Sequence, residues 1–285
     1  MSDYFVILTC RNSQNSIRSA IGAILKQTVA PEYIIVINDG SNDKTAEILQ
    51  EMQSASHHLH VITHPDRGYD ITRVVKNWNE AISFSKKSGL KSTKYHLIAT
   101  DDTEYSPDYV KKLLSSMDSN ENIAIASGTY TEYIPVMPHG AGRMVRNSFL
   151  EDSTWKGYYP EKMGYESAVL YEAARSGYEY LILTESRFKH TKQLGQSHKF
   201  YEFGASMQTL GYHPLFVLSR FLKYLLTGEV TGRVGALYML YYYLSYKPKA
   251  EGYDSLYDEK IRLYVRNTQI KRLKDVITGL GSKNT

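Results

Sequence analysis

Two adjacent carboxylates, Asp101 and Asp102, end a short apolar run, Leu97-Ile98-Ala99, within Tyr95-His-Leu-Ile-Ala-Thr-Asp-Asp-Thr-Glu104. A buried strand that delivers acids at its C-terminal tip can hold a divalent metal over a substrate. Hard cations take oxygen ligands, and Mg2+ is usually held by one or two carboxylates plus substrate phosphates. A plain polar turn has the same local pattern. The pair therefore gains meaning only from what else the fold brings to it.

The surrounding elements supply that context. Phe5 to Thr9, Tyr33 to Ile37 and His60 to Thr63 read as buried strands, followed by the strand that carries the two aspartates. Helical spacing of apolar residues predicts helices over Ser16 to Gln27, around Ala46 to Met52, and over Thr72 to Lys87. Strands alternating with helices predict a mostly parallel sheet with helices on both faces. Right-handed crossovers put the strands' C-terminal ends on one edge, where ligands of open α/β sheets bind. Thr9 to Arg11, Asn38 to Ser41, Pro65 to Gly68 and Thr100 to Thr103 are thus expected to converge.

Further along, a helix is expected over Pro107 to Met117 and a strand over Ile123 to Gly128. Val136 to Pro160 reads as irregular, forming loops over the active edge. Gly164 to Ser176 is expected to be a helix closed by Gly177, with a strand over Tyr180 to Leu183. Gly195 to Gly211 is polar and aromatic. From Pro214 the character changes: Leu215 to Thr227 is apolar nearly all round, and Gly235 to Tyr246 contains Tyr241-Tyr-Tyr243.

Composition narrows the class. The 285 residues suit one large domain or one domain with an appendage, and 42% hydrophobic with 22% charged residues is ordinary for a globular chain. A net charge of +4 gives no reason to expect nucleic acid as a partner. The single cysteine, Cys10, excludes an intrachain disulfide and the cysteine-rich zinc sites. No basic stretch with a signal-type apolar core opens the chain, and no apolar run reaches about 18 residues. A cytoplasmic location, peripheral on the membrane face or free of it, is the expectation. Of 25 tyrosines, 10 lie between Tyr212 and Tyr264, and Gly211 to Asp275 holds 11 Lys/Arg against 6 Asp/Glu. Tyrosine favours protein and lipid interfaces. This section is either a helical extension buried on the rest of the chain or a membrane-surface patch.

Tyr33-Ile-Ile-Val-Ile-Asn-Asp-Gly-Ser-Asn-Asp-Lys-Thr45 resembles the nucleotide-binding strand and turn of family 2 glycosyltransferases, inverting enzymes of the GT-A fold. The family pattern, Asp-Asp-Gly-Ser-x-Asp-x-Thr, is intact except for Asn38 at its first position. Leu8-Thr-Cys-Arg-Asn12 and the helix after it are similar to the family's opening strand, loop and helix, and the resemblance runs from about Phe5 to Thr191. It implies that Asp39 contacts the nucleotide base, with Thr9 and Arg11 alongside. It implies too that Arg67 or Arg73, in Asp66-Arg-Gly-Tyr-Asp-Ile-Thr-Arg73, faces base or phosphates, since guanidinium suits oxyanions.

The family's metal motif is Asp-x-Asp, with a proline seven residues after the first acid. Counted back from Pro107, the motif here is Thr100-Asp101-Asp102. Asp102 then matches the acid that ligates Mn2+ or Mg2+, and Asp101 takes the middle place, near ribose or metal-bound water. The family's base precedes a glycine by eleven residues; from Gly177 that register lands on Glu166. Glu166 is therefore implied as the general base. His190, in Arg187-Phe-Lys-His190, matches a histidine that reaches metal or diphosphate.

The expected fold is α/β, a Rossmann-like GT-A sheet with a helical C-terminal extension. The expected domains are a catalytic region over 1–210, its nucleotide-sugar half 1–103 and its acceptor half 104–210, and a Tyr-rich helical extension over 211–285. The acceptor loop is expected from Val136 to Gly164. The expected partners are a UDP- or GDP-linked sugar and a glycan or lipid-linked acceptor. A nucleotidyltransferase would want a glycine-rich loop after the first strand, and Thr9-Cys-Arg-Asn-Ser13 has none. A non-catalytic protein on the same fold is the other alternative, because Thr100 and Ser167 stand at two positions that are acidic in the family.

Overall fold

The structure is a computed structural model, and it describes residues 3–130, 137–191 and 196–278. The chain packs into two compact units, Met1–Tyr159 with Ser176–Gln193, and Pro160–Arg175 with Leu194–Thr285. The division expected from sequence followed motif and composition; these units follow which segments fold against one another.

The first unit is built on one sheet of order β3-β2-β1-β4-β7-β6-β8-β5. β1 (Tyr4–Cys10), β2 (Ile34–Asn38), β3 (Leu59–Thr63) and β4 (Tyr95–Thr100) pair in parallel. The apolar runs of β1, β2 and β4 are buried on both faces, as an enclosed parallel sheet requires. The covering helices are α1 (Ile17–Leu25), α2 (Thr45–Ser54), α3 (Arg73–Lys87) and α4 (Tyr109–Ser119). α1 buries Ile17, Ile21 and Ile24, and α3 buries Val75, Trp78 and Ala81, each at the spacing of one helical face. β5 (Thr103–Tyr105) follows β4 after a turn made of Asp101 and Asp102.

The second half of the sheet departs from expectation. Part of the stretch expected as loops over the active edge is β7 (Arg143–Arg146) and α5 (Asn147–Asp152); Val136 lies outside the described residues. β7 runs antiparallel between β4 and β6 (Ile123–Thr129), in mid-sheet. It lacks a strand-like pattern because two of its four residues are arginines. They are buried by donating hydrogen bonds to carbonyls: Arg143 to Pro138 O (2.9 Å) and His139 O (3.1 Å), Arg146 to Met117 O (2.7 Å) and Ile123 O (3.2 Å). β8 (Glu179–His190) is far longer than its apolar start at Tyr180 to Leu183. It leaves β6 through a register shift and continues as the antiparallel partner of β5. Gly128 marks the shift, since a Cβ there would fall 2.0 Å from Ser186 O.

The second unit is helical: α6 (Tyr165–Arg175), α7 (Gln196–Thr209), α8 (Pro214–Thr227), α9 (Gly232–Ser245) and α10 (Glu259–Ile277). Gly177, just past α6, has φ +84°, the left-handed geometry expected of a helix stop. α8 starts with Pro214 and a His213 cap, whose ring accepts from the Leu215 N–H, and stops at Gly228. α7 and α8 pack on α9, and α10 on α6 and α8, around Ala205, Met207, Leu210, Val217, Met239 and Val265.

Candidate active site

The expected convergence is present at the C-terminal edge of β1, β2 and β4. In the parallel ladders Thr9 lies between Ile37 and Thr100, so the segments that follow leave the sheet side by side. Thr9 itself is half-buried in the ladder.

The Asp39 turn is held from both sides. Asn38 is fully buried, and its Oδ1 accepts from the Ser41 N–H (3.2 Å) and hydroxyl (2.6 Å), closing the turn. An amide that accepts in this way does what an acid at that position would do, without burying a charge. Its Nδ2 is buried with no hydrogen-bond partner in the structure. Gly40 has φ +67°, and a Cβ would lie 2.6 Å from Pro65 O, so only glycine lets the 65–68 loop approach. Arg11 donates to Asp39 O (2.6 Å), Gly40 O (2.8 Å) and the Asp66 carboxylate (2.6 Å), which holds Asp66 below the usual carboxylate range. Arg73 donates through Nε to both oxygens of Asp39, at 2.9 and 3.1 Å, and through Nη2 to Gly68 O. The Asp39 hydrogen bond is the largest influence raising the Arg73 pKa further. Of the two arginines left open by sequence, Arg73 is thus seated on Asp39, and Arg67 is exposed.

The aspartates are unequal. Asp101 is half-buried and accepts from the Ser13 hydroxyl in the loop after β1. Asp102 is 8% exposed, accepts from the Thr100 hydroxyl (2.8 Å), and lies 3.3 Å from Nδ1 of His190. The β5–β8 ladder explains the meeting, because it sets His190 opposite Thr103. The Thr191 N–H donates to Asp102 O at 2.7 Å and locks the corner. The Tyr130 ring stands edge-on to His190, with centroids 4.8 Å apart. Ser13 and Tyr130 carry no sequence signal of their own; only the pairing of distant strands reveals them.

A carboxylate oxygen and an imidazole nitrogen on one corner suit a divalent cation such as Mn2+. Among the described residues no group of three or more His, Cys, Asp or Glu side chains is arranged to hold a metal. Asp102 and His190 offer two donors at one corner, enough to fit a divalent cation only with further ligands from elsewhere, and Thr100, in place of a first acid, hydrogen-bonds to Asp102.

Glu166 is exposed in the first turn of α6, where the helix dipole favours a negative charge. Within the same unit its charge bears on Glu202 of α7. Burial first, and then the Glu166 charge, push the Glu202 carboxyl up to about 7, while the Tyr253 hydroxyl donates to it at 3.4 Å. Glu202 was not among the residues expected from sequence, since a glutamate in a polar helix is unremarkable until its neighbours are known. A cavity of about 970 Å3 in the first unit, lined by Asp3, Phe5, Tyr33, His96 and Arg146, lies at the opposite, N-terminal end of the strands and does not belong to this site.

Comparison with known proteins gives the fold and the family. The chain is 29% identical over 129 residues to an uncharacterized glycosyltransferase of Haemophilus influenzae, a match that covers 45% of this chain and 36% of that protein. The chain thus spans about a third of that relative's length. The mannosyltransferase PcManGT from Pyrobaculum calidifontis, solved with GDP-Man and Mn2+, superposes with a TM-score of 0.56 at 12% identity, covering 99% of this chain and 88% of that one. S. aureus TarS 1-349, solved with UDP-GlcNAc, gives a TM-score of 0.52 at 14% identity, covering 73% and 66%. At such identities the two structures establish a shared GT-A-like fold. The sequence model of Glycosyl transferase family 2 matches residues 5–175, well over half the chain, with the Asp39 turn, the Asp101-Asp102 corner and Glu166 all inside the match; this chain belongs to glycosyl transferase family 2.

Proposed function

We propose that the chain moves a hexosyl unit, with inversion, from a UDP- or GDP-linked sugar to a hydroxyl of a glycan or lipid-linked acceptor. The observation that carries this reading is the meeting of Asp102 with His190, 3.3 Å apart, at the edge where the Asp39 turn also ends. The two solved relatives were captured with GDP-Man and Mn2+ and with UDP-GlcNAc, which supports the donor class.

In this reading Asp39, held by Arg73, accepts from the nucleotide base, and Arg67 serves the phosphates. Asp101, steadied by Ser13, faces the ribose. Asp102 and His190 would hold the divalent cation, which supplies positive charge against the leaving diphosphate. Glu166 takes the proton of the acceptor hydroxyl as its oxygen bonds the anomeric carbon. The bond from that carbon to the diphosphate oxygen breaks, and the nucleoside diphosphate leaves with the electron pair. Such a base contributes about 10²–10⁴-fold.

The test is turnover of the full chain with a panel of nucleotide-sugars, with Mn2+, Mg2+ or chelator. The expected result is release of nucleoside diphosphate from one donor, with Asp102→Ala and Glu166→Gln each lowering kcat by at least about 100-fold. Full activity in both variants overturns the mechanism. Donor binding without turnover would instead favour a non-catalytic binding protein, the alternative that Thr100 and Ser167 raise.

A further inference from the structure

The outer faces of α8 and α9 break the rule that an exposed helical face is polar. On α8, Leu215, Leu218, Leu222 and Leu226 are 61, 45, 47 and 74% exposed. At 3.6 residues per turn they fall within an arc of roughly 80°. The opposite side holds Val217, which is fully buried. On α9, Val234, Leu237, Tyr238, Tyr241 and Leu244 are 48–70% exposed, while Gly235, Ala236, Met239 and Tyr243 are buried. The buried side of α9 is satisfied by α7 and α8. Its exposed side is nevertheless apolar, so the burial of this helix within its own unit does not account for its sequence. Contiguous exposed apolar area of this kind marks an interaction surface.

Charge indicates what covers it. Gly211 to Asp275 carries a net +5 while the whole chain carries +4, so the remainder is at −1. Within that stretch residues 214–245, which carry the exposed leucines, hold three Lys/Arg against one Glu, a net +2, and the rest of the excess follows α9. Arg233 adjoins Val234, Lys247 follows Leu244, and both are exposed; Lys223, beside Leu222, meets Glu229 at 3.1 Å. Two copies joined through this face would bring two net positive surfaces together. An anionic bilayer is complementary in both respects, with leucine for the acyl boundary and tyrosine, lysine and arginine for the headgroups. α8 and α9 have 14 residues each, about 21 Å, against a hydrocarbon core of about 30 Å. No helix among the described residues is long and apolar enough to cross a membrane.

We infer that the α8–α9 hairpin lies in the interface of an anionic phospholipid membrane, with its exposed leucines and tyrosines facing the acyl boundary. This goes beyond the transfer reaction and does not rest on it.

The test is flotation of the full chain with vesicles of phosphatidylcholine alone and with about 30% phosphatidylglycerol. Co-flotation with the anionic vesicles, weakened by salt and by Arg233→Glu with Lys247→Glu by at least about tenfold, is expected. Leu222→Asp with Leu226→Asp should abolish it while leaving the far-ultraviolet circular dichroism unchanged. If that pair fails to fold, the charge pair decides. Absence of flotation, equal binding to neutral vesicles, or undiminished binding of the folded variants overturns the inference. So does a wild-type dimer in sedimentation that the leucine variant disperses without any lipid binding.

Discussion

Asp39 bears two demands at once. Its carboxylate is already engaged by Arg73, yet in the proposed reaction it must also accept from a nucleotide base. A carboxylate has about four acceptor positions, and the one Nε–H of Arg73 shared between its two oxygens leaves others for a base. Asp39→Ala should then raise KM for the donor about tenfold or more with a smaller change in kcat, read from initial rates against donor concentration. A change confined to kcat would place Asp39 outside donor binding. Glu202 offers a second prediction. Its folded pKa, about 7, lies above the ordinary 4.5, so the folded state holds the proton more tightly. The destabilisation it causes is therefore absent below about pH 4.5 and grows as pH rises through 7. Glu202→Gln should match the wild type in urea stability near pH 4 and exceed it at pH 8.

At the scale of elements, the turns and connections matter more than the strands. Gly40 links the Asp39 turn to the 65–68 loop, and Gly40→Ala meets Pro65 O at 2.6 Å in a backbone conformation that alanine disfavours. A loss of roughly 2 kcal/mol or more in urea unfolding is expected, together with weaker donor binding. β4 shows the dependence in the other direction. His96, fully buried in mid-strand, lies 2.6 Å from both Asn147 of α5 and the Tyr159 hydroxyl, and burial pushes its pKa down to about 4. A histidine held neutral when folded and protonated at 6.5 when unfolded gives stability that is present above pH 6.5. That stability is lost as pH falls towards 4, by up to about 3 kcal/mol. Urea midpoints measured between pH 7 and 4 should fall accordingly, and a His96→Asn variant, weaker at neutral pH, should show a flatter profile across that window. The segment expected as irregular loop is thus what satisfies the buried polar atoms of the site's central strand.

At the scale of the molecule, the order of apolar runs and turn residues in the first hundred positions was enough to define the parallel β1–β4 half of the sheet and the edge where its turns gather; the unequal roles of Asp101 and Asp102 came only from the family resemblance. The runs and turns are local properties: a buried strand must be apolar, and a strand-to-helix turn needs Asn, Asp, Gly and Ser whatever lies around it. The family match and the solved relatives agree with the resemblance that those residues carry. The rest was decided by tertiary structure. β7 is invisible in sequence because its two arginines are buried on carbonyls, those of Arg146 more than 20 residues away, and the outer half of β8 because its polar residues are ordered by β5. The seating of Arg73 on Asp39, the pairing of His190 with Asp102 and the crowding of Glu202 by Glu166 each join residues at least 34 positions apart. The exposure of the α8 and α9 leucines belongs to the same class, since an apolar helix reads alike whether buried or bare. Sequence alone determines which side chains can do chemistry and which backbone must bend. Only the packed chain determines which of those side chains meet and which apolar faces remain uncovered, because burial and ion pairing are sums over neighbours that no local window contains.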